Sequence, residues 1–262
     1  MSQVWWLGIT QGLTEFLPVS SSGHLIVLKT WMGLTSTGLV LESWLHGGTL
    51  VAILVAYRRQ MTEFITGLWQ KRPESLRELG RLTVATIPAV VLGFGLSDWL
   101  GSLAIPLMVA VGWMATTVVV WATPVGHSTL KVRDISDLHL LEALGIGIAQ
   151  GFALWPGLSR SGTTLWVSRR FGLSPEASAR FSFWMAIPTV LGAMTLTLVQ
   201  DPQGWGRISS SWAVGFILSA VSGLFAIKWI RSLLATSTGY HRFGWYTLLA
   251  ATAVLVVLWT GA

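Results

Sequence analysis

The chain alternates between long apolar runs and short polar segments. Six of the runs are continuous, at about residues 41–57, 82–96, 106–121, 175–199, 212–230 and 245–259. They have roughly the length that crosses a bilayer as an α-helix, about 17–25 residues. The pattern therefore predicts an all-α polytopic membrane protein with six spanning helices.

Two further apolar segments, residues 1–28 and 140–167, are interrupted by proline, glycine and serine. Proline lacks the backbone N–H that a helix needs, so Pro18 breaks the first segment. Irregular backbone at membrane depth is tolerated where it is buried in protein or lines a cavity. We expect each segment to form a re-entrant broken-helix hairpin whose two ends lie on the same side of the membrane.

The two interrupted segments match each other at a spacing of 139 residues. The match predicts an inverted-topology repeat inside one membrane domain, residues 1–262, with halves at about 1–123 and 139–262. In this architecture the binding site lies near the bilayer midplane, where the broken elements meet. Identical pairs include Ile9/Ile148, Gln11/Gln150, Gly12/Gly151, Ser20/Ser159, Ser22/Ser161 and Gly23/Gly162.

Composition supports the membrane interpretation. Of the 262 residues, 52% are hydrophobic and only 11% are charged, whereas a soluble domain carries about a quarter charged residues. The net charge of +6 could attract nucleic acid, but the basic residues lie in short segments between apolar runs, so we expect no nucleic-acid partner. The chain has no cysteine, which excludes disulfides and thiol chemistry.

The basic residues also orient the chain. Six spans and two hairpins place 14 of the 17 Lys and Arg residues on one side, which the positive-inside rule assigns to the cytoplasm. The first hairpin then enters from the outer face and the second from the inner face, so the halves are inverted. No Lys or Arg precedes Lys29, so we expect the first segment to be retained rather than removed as a secretory signal.

Arg160 lies inside the second hairpin, where a charged side chain costs roughly 2.5–3.5 kcal/mol on insertion scales. Two explanations stay open: an ion pair with Glu15, or an anion site in which the planar guanidinium binds phosphate. Small polar residues at both breaks predict backbone N–H groups that bind phosphate, although such residues also serve as packing surfaces between helices. The candidate phosphate-binding residues are Ser20, Ser22, Gly23, Ser159, Ser161, Gly162, Thr163 and Thr164.

Glu15 and His24 add proton chemistry to the first hairpin. Together with Ser21 they offer a carboxylate, an imidazole and a hydroxyl, the components of an activated nucleophile. The other histidines are interpreted as interfacial or loop residues. Glu42 and His46, four residues apart at the outer end of a span, are given only a supporting role beside the site.

These motifs resemble those of the undecaprenyl-diphosphate phosphatases of the bacitracin-resistance type. That family is marked by (E/Q)xxxE, by PVSSxGH and by PGxSRSxxT, which here occupy residues 11–15, 18–24 and 156–164. The similarity extends over essentially the whole chain. By matching position, the resemblance implies catalytic or phosphate-binding roles for Glu15, Ser21, His24 and Arg160.

The resemblance also implies a Mg²⁺ or Ca²⁺ ion, for which Glu15 and Gln11 are the candidate ligands. Gln11 stands where many members of the family have Glu, a change that we expect to weaken metal assistance. The expected partners are a polyprenyl diphosphate lipid and membrane lipids, and a homodimer is left open. The implied location is the bacterial inner membrane, with the active site on the outer, periplasmic side.

The implied reaction is hydrolysis of undecaprenyl diphosphate to the monophosphate lipid carrier of cell-wall synthesis. The rival function is a secondary transporter or lipid-carrier flippase, because inverted repeats with broken helices are a transporter architecture. The asymmetry of the two hairpins favours the enzyme. A transporter needs only binding groups, yet the first hairpin carries both Glu15 and His24.

Overall fold

The structure is a computed structural model that describes residues 2–34, 38–125, 133–206, 208–235 and 239–261. The described residues are largely helical, and they contain one isolated bridge, between Arg133 and Leu173, but no β-sheet. The helices are α1 Ser2–Phe16, α2 Ser21–Trp31, α3 Gly38–Ala56, α4 Arg58–Trp69, α5 Pro73–Gly95, α6 Ser97–Ser102, α7 Pro106–Ala122, α8 Leu140–Phe152, α9 Arg160–Arg170, α10 Pro175–Gln200, α11 Pro202–Trp205, α12 Ser210–Ala235 and α13 Arg242–Thr260.

The apolar runs form the helices that the pattern predicted. Among the described residues, five helices are long and apolar enough to cross a membrane, namely α3, α5, α10, α12 and α13. The sixth predicted span, α7, is an apolar helix of 17 residues. The chain is therefore an all-α, multi-pass membrane protein.

The polar segment between the first two apolar runs, residues 58–81, is mostly helical. α4 occupies its first half, and α5 begins at Pro73, earlier than the predicted span. Proline suits the first helical position, and Glu74 in the first turn suits the positive end of the helix dipole. Arg81 consequently lies within a helix and is buried, where its Nε donates to the Leu138 carbonyl oxygen at 2.6 Å.

Both interrupted segments form two half-helices joined by an irregular break. The first break, residues 17–20, joins α1 to α2, and the second, residues 153–159, joins α8 to α9. Ser20 has a φ of 66° and Gly157 a φ of 88°. Because this backbone region strains a residue that carries a side chain, the surrounding contacts must hold Ser20 in place.

The broken helices pack against the other half of the chain. α1 lies mainly on α12 and α8 mainly on α5, while α7 packs on α13. The approach of α1 to α12 is close, because a Cβ added to Gly12 would lie 2.0 Å from the Ser222 Oγ. In the proposed repeat, α1 corresponds to α8 and α12 to α5. The contact of α1 with α12 then corresponds to the contact of α8 with α5, as a repeat requires. The inverted orientation of the halves stays a prediction.

α7 supports both breaks. Trp113 Nε1 donates to the Val19 carbonyl oxygen at 2.8 Å. Thr116 Oγ1 donates to the Gly157 carbonyl oxygen at 2.8 Å and accepts from the Ser159 N–H at 2.9 Å. One helix therefore fixes the backbone of both breaks, and the breaks meet beside it.

The two breaks also contact each other directly. Ser161 Oγ donates to the Leu17 carbonyl oxygen at 2.9 Å. Gly162 faces Pro18 closely enough that an added Cβ would lie 3.2 Å from the proline Cβ. The two breaks therefore lie against each other, while the repeat and its re-entrant hairpins stay predictions.

An ion pair fixes the start of the second hairpin. Arg133 donates from its two terminal nitrogens to the two carboxylate oxygens of Glu142, each at 2.8 Å. The hydrogen bonds to Glu142 and its negative charge raise the pKa of the Arg133 guanidinium. This bidentate pair ties the segment before α8 to the first turn of α8.

Candidate active site

A polar cavity of about 210 Å³ lies where the two breaks meet. Its walls come from both breaks, from α3 and from α10, and its polar lining includes Glu15, Ser21, His46 and Arg160. A larger cavity between α4, α5 and α10 is lined almost wholly by apolar side chains. Of these two cavities, the polar one holds ionisable groups and is the candidate site.

Glu15 and Arg160 form an ion pair in the cavity wall. Arg160 Nη2 lies 2.8 Å from Glu15 Oε1, and Arg160 Nη1 donates to the Ser182 carbonyl oxygen at 3.1 Å. One explanation offered for Arg160, pairing with Glu15, is therefore observed. The other, anion binding, is compatible with the pair, because the guanidinium lines the cavity and keeps 16% of its side-chain surface exposed.

Ser21 is placed to act as a nucleophile. Its Oγ donates to Glu15 Oε2 at 2.6 Å. As the first residue of α2, Ser21 also stands at the positive end of that helix dipole. A hydroxyl that donates to a carboxylate beside an open cavity can attack a substrate while the carboxylate takes its proton.

Ser20 and Ser159, which are paired in the alignment, have the same structural role in the two breaks. Ser20 Oγ accepts from the Gly23 N–H at 3.4 Å, and Ser159 Oγ accepts from the Gly162 N–H at 3.1 Å. Each serine is thus the N-cap of the following half-helix and satisfies one of its free N–H groups. The N–H groups that remain at these helix starts favour a bound anion.

The other predicted phosphate-binding residues divide between the cavity wall and the helix interior. Ser22 lines the cavity. The structure does not bring the other predicted residues into the cavity. Among them, the hydroxyls of Thr163 and Thr164 donate to backbone carbonyl oxygens one turn earlier, each at 2.8 Å. The predicted residues that do not line the cavity are Gly23, Ser161, Gly162, Thr163 and Thr164.

His24 does not line the cavity either. Its Nδ1 lies 2.7 Å from the Ser20 carbonyl oxygen, and its Nε2 lies 2.7 Å from the hydroxyl of Tyr246 on α13. The ring also packs edge-on against Trp113, with the ring centroids 4.9 Å apart. The expected grouping of serine, carboxylate and His24 therefore does not form here, because these contacts hold the imidazole between α2 and α13.

A different histidine, His46, reaches Glu15. Its Nδ1 lies 3.4 Å from Glu15 Oε2 and 2.8 Å from Gln11 Nε2, and Gln11 Nε2 also donates to Glu15 Oε2 at 3.0 Å. The sequence alone assigns His46, together with Glu42, only a supporting role beside the site. The available signal was its spacing from Glu42 on α3, but Glu42 pairs with Lys29 at 2.7 Å instead.

The donor groups around Glu15 do not form a metal cage by themselves. Among the described residues, no group of three or more His, Cys, Asp or Glu side chains lies close enough together to hold a metal ion. Mg²⁺ is usually bound by one or two carboxylates together with substrate phosphates. Glu15 fits that role. Gln11 Oε1, which is buried without a hydrogen-bond partner in the described part of the chain, is an uncharged amide oxygen of the kind that also binds Ca²⁺.

Comparisons with known proteins cover nearly the whole chain. The sequence model of the family described as bacitracin resistance protein BacA matches residues 4–253. The chain is 35% identical to undecaprenyl-diphosphatase 1 of Paraburkholderia xenovorans (strain LB400), over 98% of this chain and 94% of that relative. It is 39% identical to the undecaprenyl-diphosphatase of Rubrobacter xylanophilus (strain DSM 9941), over 95% of this chain and 97% of that relative. The chain therefore belongs to the bacitracin resistance protein BacA family.

Proposed function

We propose that this chain hydrolyses undecaprenyl diphosphate to undecaprenyl phosphate and inorganic phosphate. The observation that carries the proposal is that the two hairpins meet at one cavity. There Glu15 of the first hairpin pairs with Arg160 of the second and accepts a hydrogen bond from Ser21. Hydrolysis of a phosphoanhydride needs a cation for the phosphate oxygens beside an activated nucleophile. The full-length similarity to undecaprenyl-diphosphatases supports the choice of substrate.

Arg160 and the starts of α2 and α9 form the phosphate-binding part of the site. A guanidinium presents a planar fork of N–H groups that matches phosphate oxygens. The positive ends of the two helix dipoles add to its charge. Because one such helix start comes from each hairpin, the cavity suits a diphosphate better than a monophosphate.

Ser21 and Glu15 carry out the chemistry. Ser21 Oγ attacks the terminal phosphorus while Glu15 Oε2, 2.6 Å away, accepts the hydroxyl proton. The bond from that phosphorus to the bridging oxygen breaks, and the lipid monophosphate leaves. Water then releases inorganic phosphate from Ser21. Arg160 offsets the negative charge that builds on the phosphate oxygens, which is commonly the largest catalytic contribution.

A divalent cation fits this site together with the diphosphate. The substrate oxygens would supply most of its ligands, and Glu15 with Gln11 Oε1 would supply the protein ligands. Such an ion neutralises phosphate charge. Gln11 brings no charge of its own. Binding of the cation therefore depends more on the substrate phosphates than it would beside two carboxylates.

We further propose that the protein lies in the bacterial inner membrane, with the cavity open to the outer side. The distribution of Lys and Arg supports this orientation. The product at that face is the lipid carrier of peptidoglycan and other cell-wall polymers, which the reaction recycles. Resistance to bacitracin is the property that the family name implies.

The test is phosphate release by the purified protein from undecaprenyl diphosphate in detergent micelles. Micelles separate no compartments, so transport alone releases no phosphate there. We expect release by the wild type and a loss of roughly 10²-fold or more in Glu15→Gln, the scale of general acid–base catalysis. A folded wild-type protein that releases no phosphate would contradict the proposal and favour the transporter.

A further inference from the structure

The backbone of Ser20 is strained directly before Ser21, the proposed nucleophile. Its φ of 66° lies in the left-handed region, which a residue with a side chain rarely adopts. Such a conformation persists only where the surrounding contacts hold it. The contacts of the peptide that joins Ser20 to Ser21 therefore help to decide where the Ser21 hydroxyl points.

Side chains hold the carbonyl oxygens on both sides of this strained residue. Trp113 Nε1 of α7 donates to the Val19 carbonyl oxygen at 2.8 Å, and His24 Nδ1 lies 2.7 Å from the Ser20 carbonyl oxygen. The backbone N–H of His24 faces the same Ser20 oxygen at a longer distance, 3.4 Å. The imidazole makes the shorter of these two contacts, so its orientation matters to the peptide that leads into Ser21.

Tyr246 holds this imidazole from the opposite side. A carbonyl oxygen only accepts, so the ring of His24 carries a proton on Nδ1. In the neutral ring Nε2 keeps its lone pair, and the Tyr246 hydroxyl, 2.7 Å away, donates to it. The two rings are parallel to within 3°. Because the hydrogen bond of one ring nitrogen sets the protonation of the other, Tyr246 favours the tautomer that Ser20 requires.

Tyr246 is itself held in place by the packing of α13 on α7. The hydroxyl oxygens of Thr247, the next residue, and of Thr117 on α7 lie 2.8 Å apart. Thr117 Oγ1 also lies 3.3 Å from the Gly244 carbonyl oxygen, half a turn before Tyr246. The helix that holds the Val19 carbonyl oxygen through Trp113 therefore also fixes the part of α13 that carries Tyr246.

We propose that Tyr246 is a positioning residue for Ser21. This inference rests on the proposed phosphatase function. The hydroxyl of Tyr246 fixes the imidazole of His24, and the imidazole fixes the Ser20 carbonyl group. The strained peptide then orients the Ser21 hydroxyl toward Glu15 Oε2, 2.6 Å away. Tyr246 does not line the cavity, so it acts through His24 and not on the substrate.

An alternative role for Tyr246 is that of an interfacial aromatic residue. Tyr246 is 47% exposed, and its neighbour Trp245 is exposed as well. Tyrosine and tryptophan are enriched where membrane helices meet the headgroup region. An interfacial residue needs an amphipathic ring but no hydrogen bond to a buried imidazole, so the two roles differ in what the hydroxyl does for kcat.

The first test is Tyr246→Phe, which removes only the hydroxyl. His24 Nε2 then loses its donor, and the imidazole is free to turn away from the Ser20 carbonyl oxygen. We expect kcat for phosphate release in micelles to fall by roughly tenfold or more, because small displacements of a reacting group are costly. KM should change little, because Arg160 and its contacts are untouched.

Tyr57→Phe is the matched control. The hydroxyl of Tyr57 is buried without a hydrogen-bond partner in the described part of the chain, so its removal breaks no such contact. This variant should keep the wild-type kcat. A Tyr246→Phe protein with the wild-type kcat would overturn the inference and leave Tyr246 as an interfacial residue.

A double-mutant cycle tests whether Tyr246 acts through His24. His24→Ala removes the ring that Tyr246 orients. Adding Tyr246→Phe to His24→Ala should therefore lower kcat by less than about twofold further, although Tyr246→Phe alone has a larger effect. Two decreases that multiply would show that Tyr246 acts independently of His24, and the inference would be wrong.

The NMR signals of isotope-labelled histidine rings test the contact without any turnover. We expect the His24 ring, assigned by its loss in His24→Ala, to be protonated at Nδ1 in the wild type. Tyr246→Phe should shift its Nε2 signal, whereas Tyr57→Phe should not. An identical His24 signal in the wild type and in Tyr246→Phe would overturn the inference, even where His24→Ala is too inactive for the cycle. A folded wild type that releases no phosphate contradicts the proposed function instead, whatever this signal shows.

Discussion

Arg160 has two partners of different kinds, a carboxylate and a backbone carbonyl, and in the proposed reaction the substrate is a third. Lysine keeps the charge and can still pair with Glu15, but it loses the planar fork that binds two phosphate oxygens. We expect Arg160→Lys to fold and to lose roughly 10²–10³-fold in kcat, because the lost contacts stabilise charge that develops in the transition state. Phosphate release and thermal unfolding, measured on the same preparation, check this.

The alternative role of Arg160 makes the opposite forecast. If the guanidinium only neutralises Glu15, Arg160→Lys should keep substantial turnover. The double variant Arg160→Leu/Glu15→Leu gives the stability control, because apolar replacement of a buried ion pair is often neutral or stabilising. A double variant that is as stable as the wild type shows that the pair is not needed for folding, so the turnover of Arg160→Lys decides the role of Arg160.

Ser21 and Ser22 are a matched pair of adjacent hydroxyls with different partners. Ser21 Oγ donates to Glu15, whereas Ser22 Oγ lies 3.2 Å from the Ser20 Oγ. We expect Ser21→Ala to lose at least about 10²-fold in kcat and Ser22→Ala to lose about tenfold or less, because only the first removes the proposed nucleophile. Near-normal turnover by Ser21→Ala would instead point to direct attack by water.

Among single residues, the sequence predicted the charged side chains that lie within apolar segments. Glu15 and Arg160 stood out because charges inside membrane segments need partners, and they are indeed paired. The sequence does not show which of the two histidines, His24 or His46, contacts Glu15. Which histidine reaches Glu15 depends on how α3 and α13 pack beside the first hairpin, and local spacing does not contain that information.

Among the elements, α7 decides where the second break lies. A Cβ added to Gly112 on α7 would lie 2.1 Å from the Pro156 carbonyl oxygen and 2.7 Å from the Gly157 carbonyl carbon. Backbone atoms cannot rotate away as a side chain can. We therefore expect Gly112→Ala to cost about 1–3 kcal/mol of stability and to reduce kcat by displacing the break that directly precedes Arg160. Thermal unfolding and phosphate release measure the two effects.

Gly192 is the control for that substitution. It is also a helical glycine, on α10, but a Cβ there would meet no heavy atom within 4 Å. Gly192→Ala should be neutral or slightly stabilising, because alanine favours a helix by about 1 kcal/mol over glycine. Equal effects of the two substitutions would show that α7 does not position the break.

The elements themselves were largely predictable, since apolar runs and broken segments follow from local pattern. A serine followed by a proline is a typical helix start, and at the start of α10 the Ser174 Oγ accepts from the Ala177 N–H at 3.0 Å. The connector at residues 58–81 was less clear. Its charged residues suit a polar loop and an amphipathic helix equally, and the contact of Arg81 with Leu138 is a matter of tertiary packing.

For the molecule as a whole, the repeat and the basic residues make one joint prediction about orientation. The segment between α4 and α5 carries Lys71 and Arg72, whereas the segment after α10 begins with Asp201. If the halves are inverted and the basic side is cytoplasmic, these two segments lie on opposite sides of the membrane. The cavity would then open outward, to the side on which we propose that the lipid carrier is recycled.

Labelling of single cysteines tests this orientation directly, because the chain has no cysteine of its own. Gln70, at the end of α4, and Gln203, on α11, are both exposed glutamines and form a matched pair. We expect Gln203→Cys to react with an impermeant thiol reagent added to intact cells, and Gln70→Cys to react only after permeabilisation. Reaction of both in intact cells would place the two segments on one side and remove the inverted repeat. The reverse pattern would keep the repeat but turn the whole protein over, and the cavity would then face the cytoplasm.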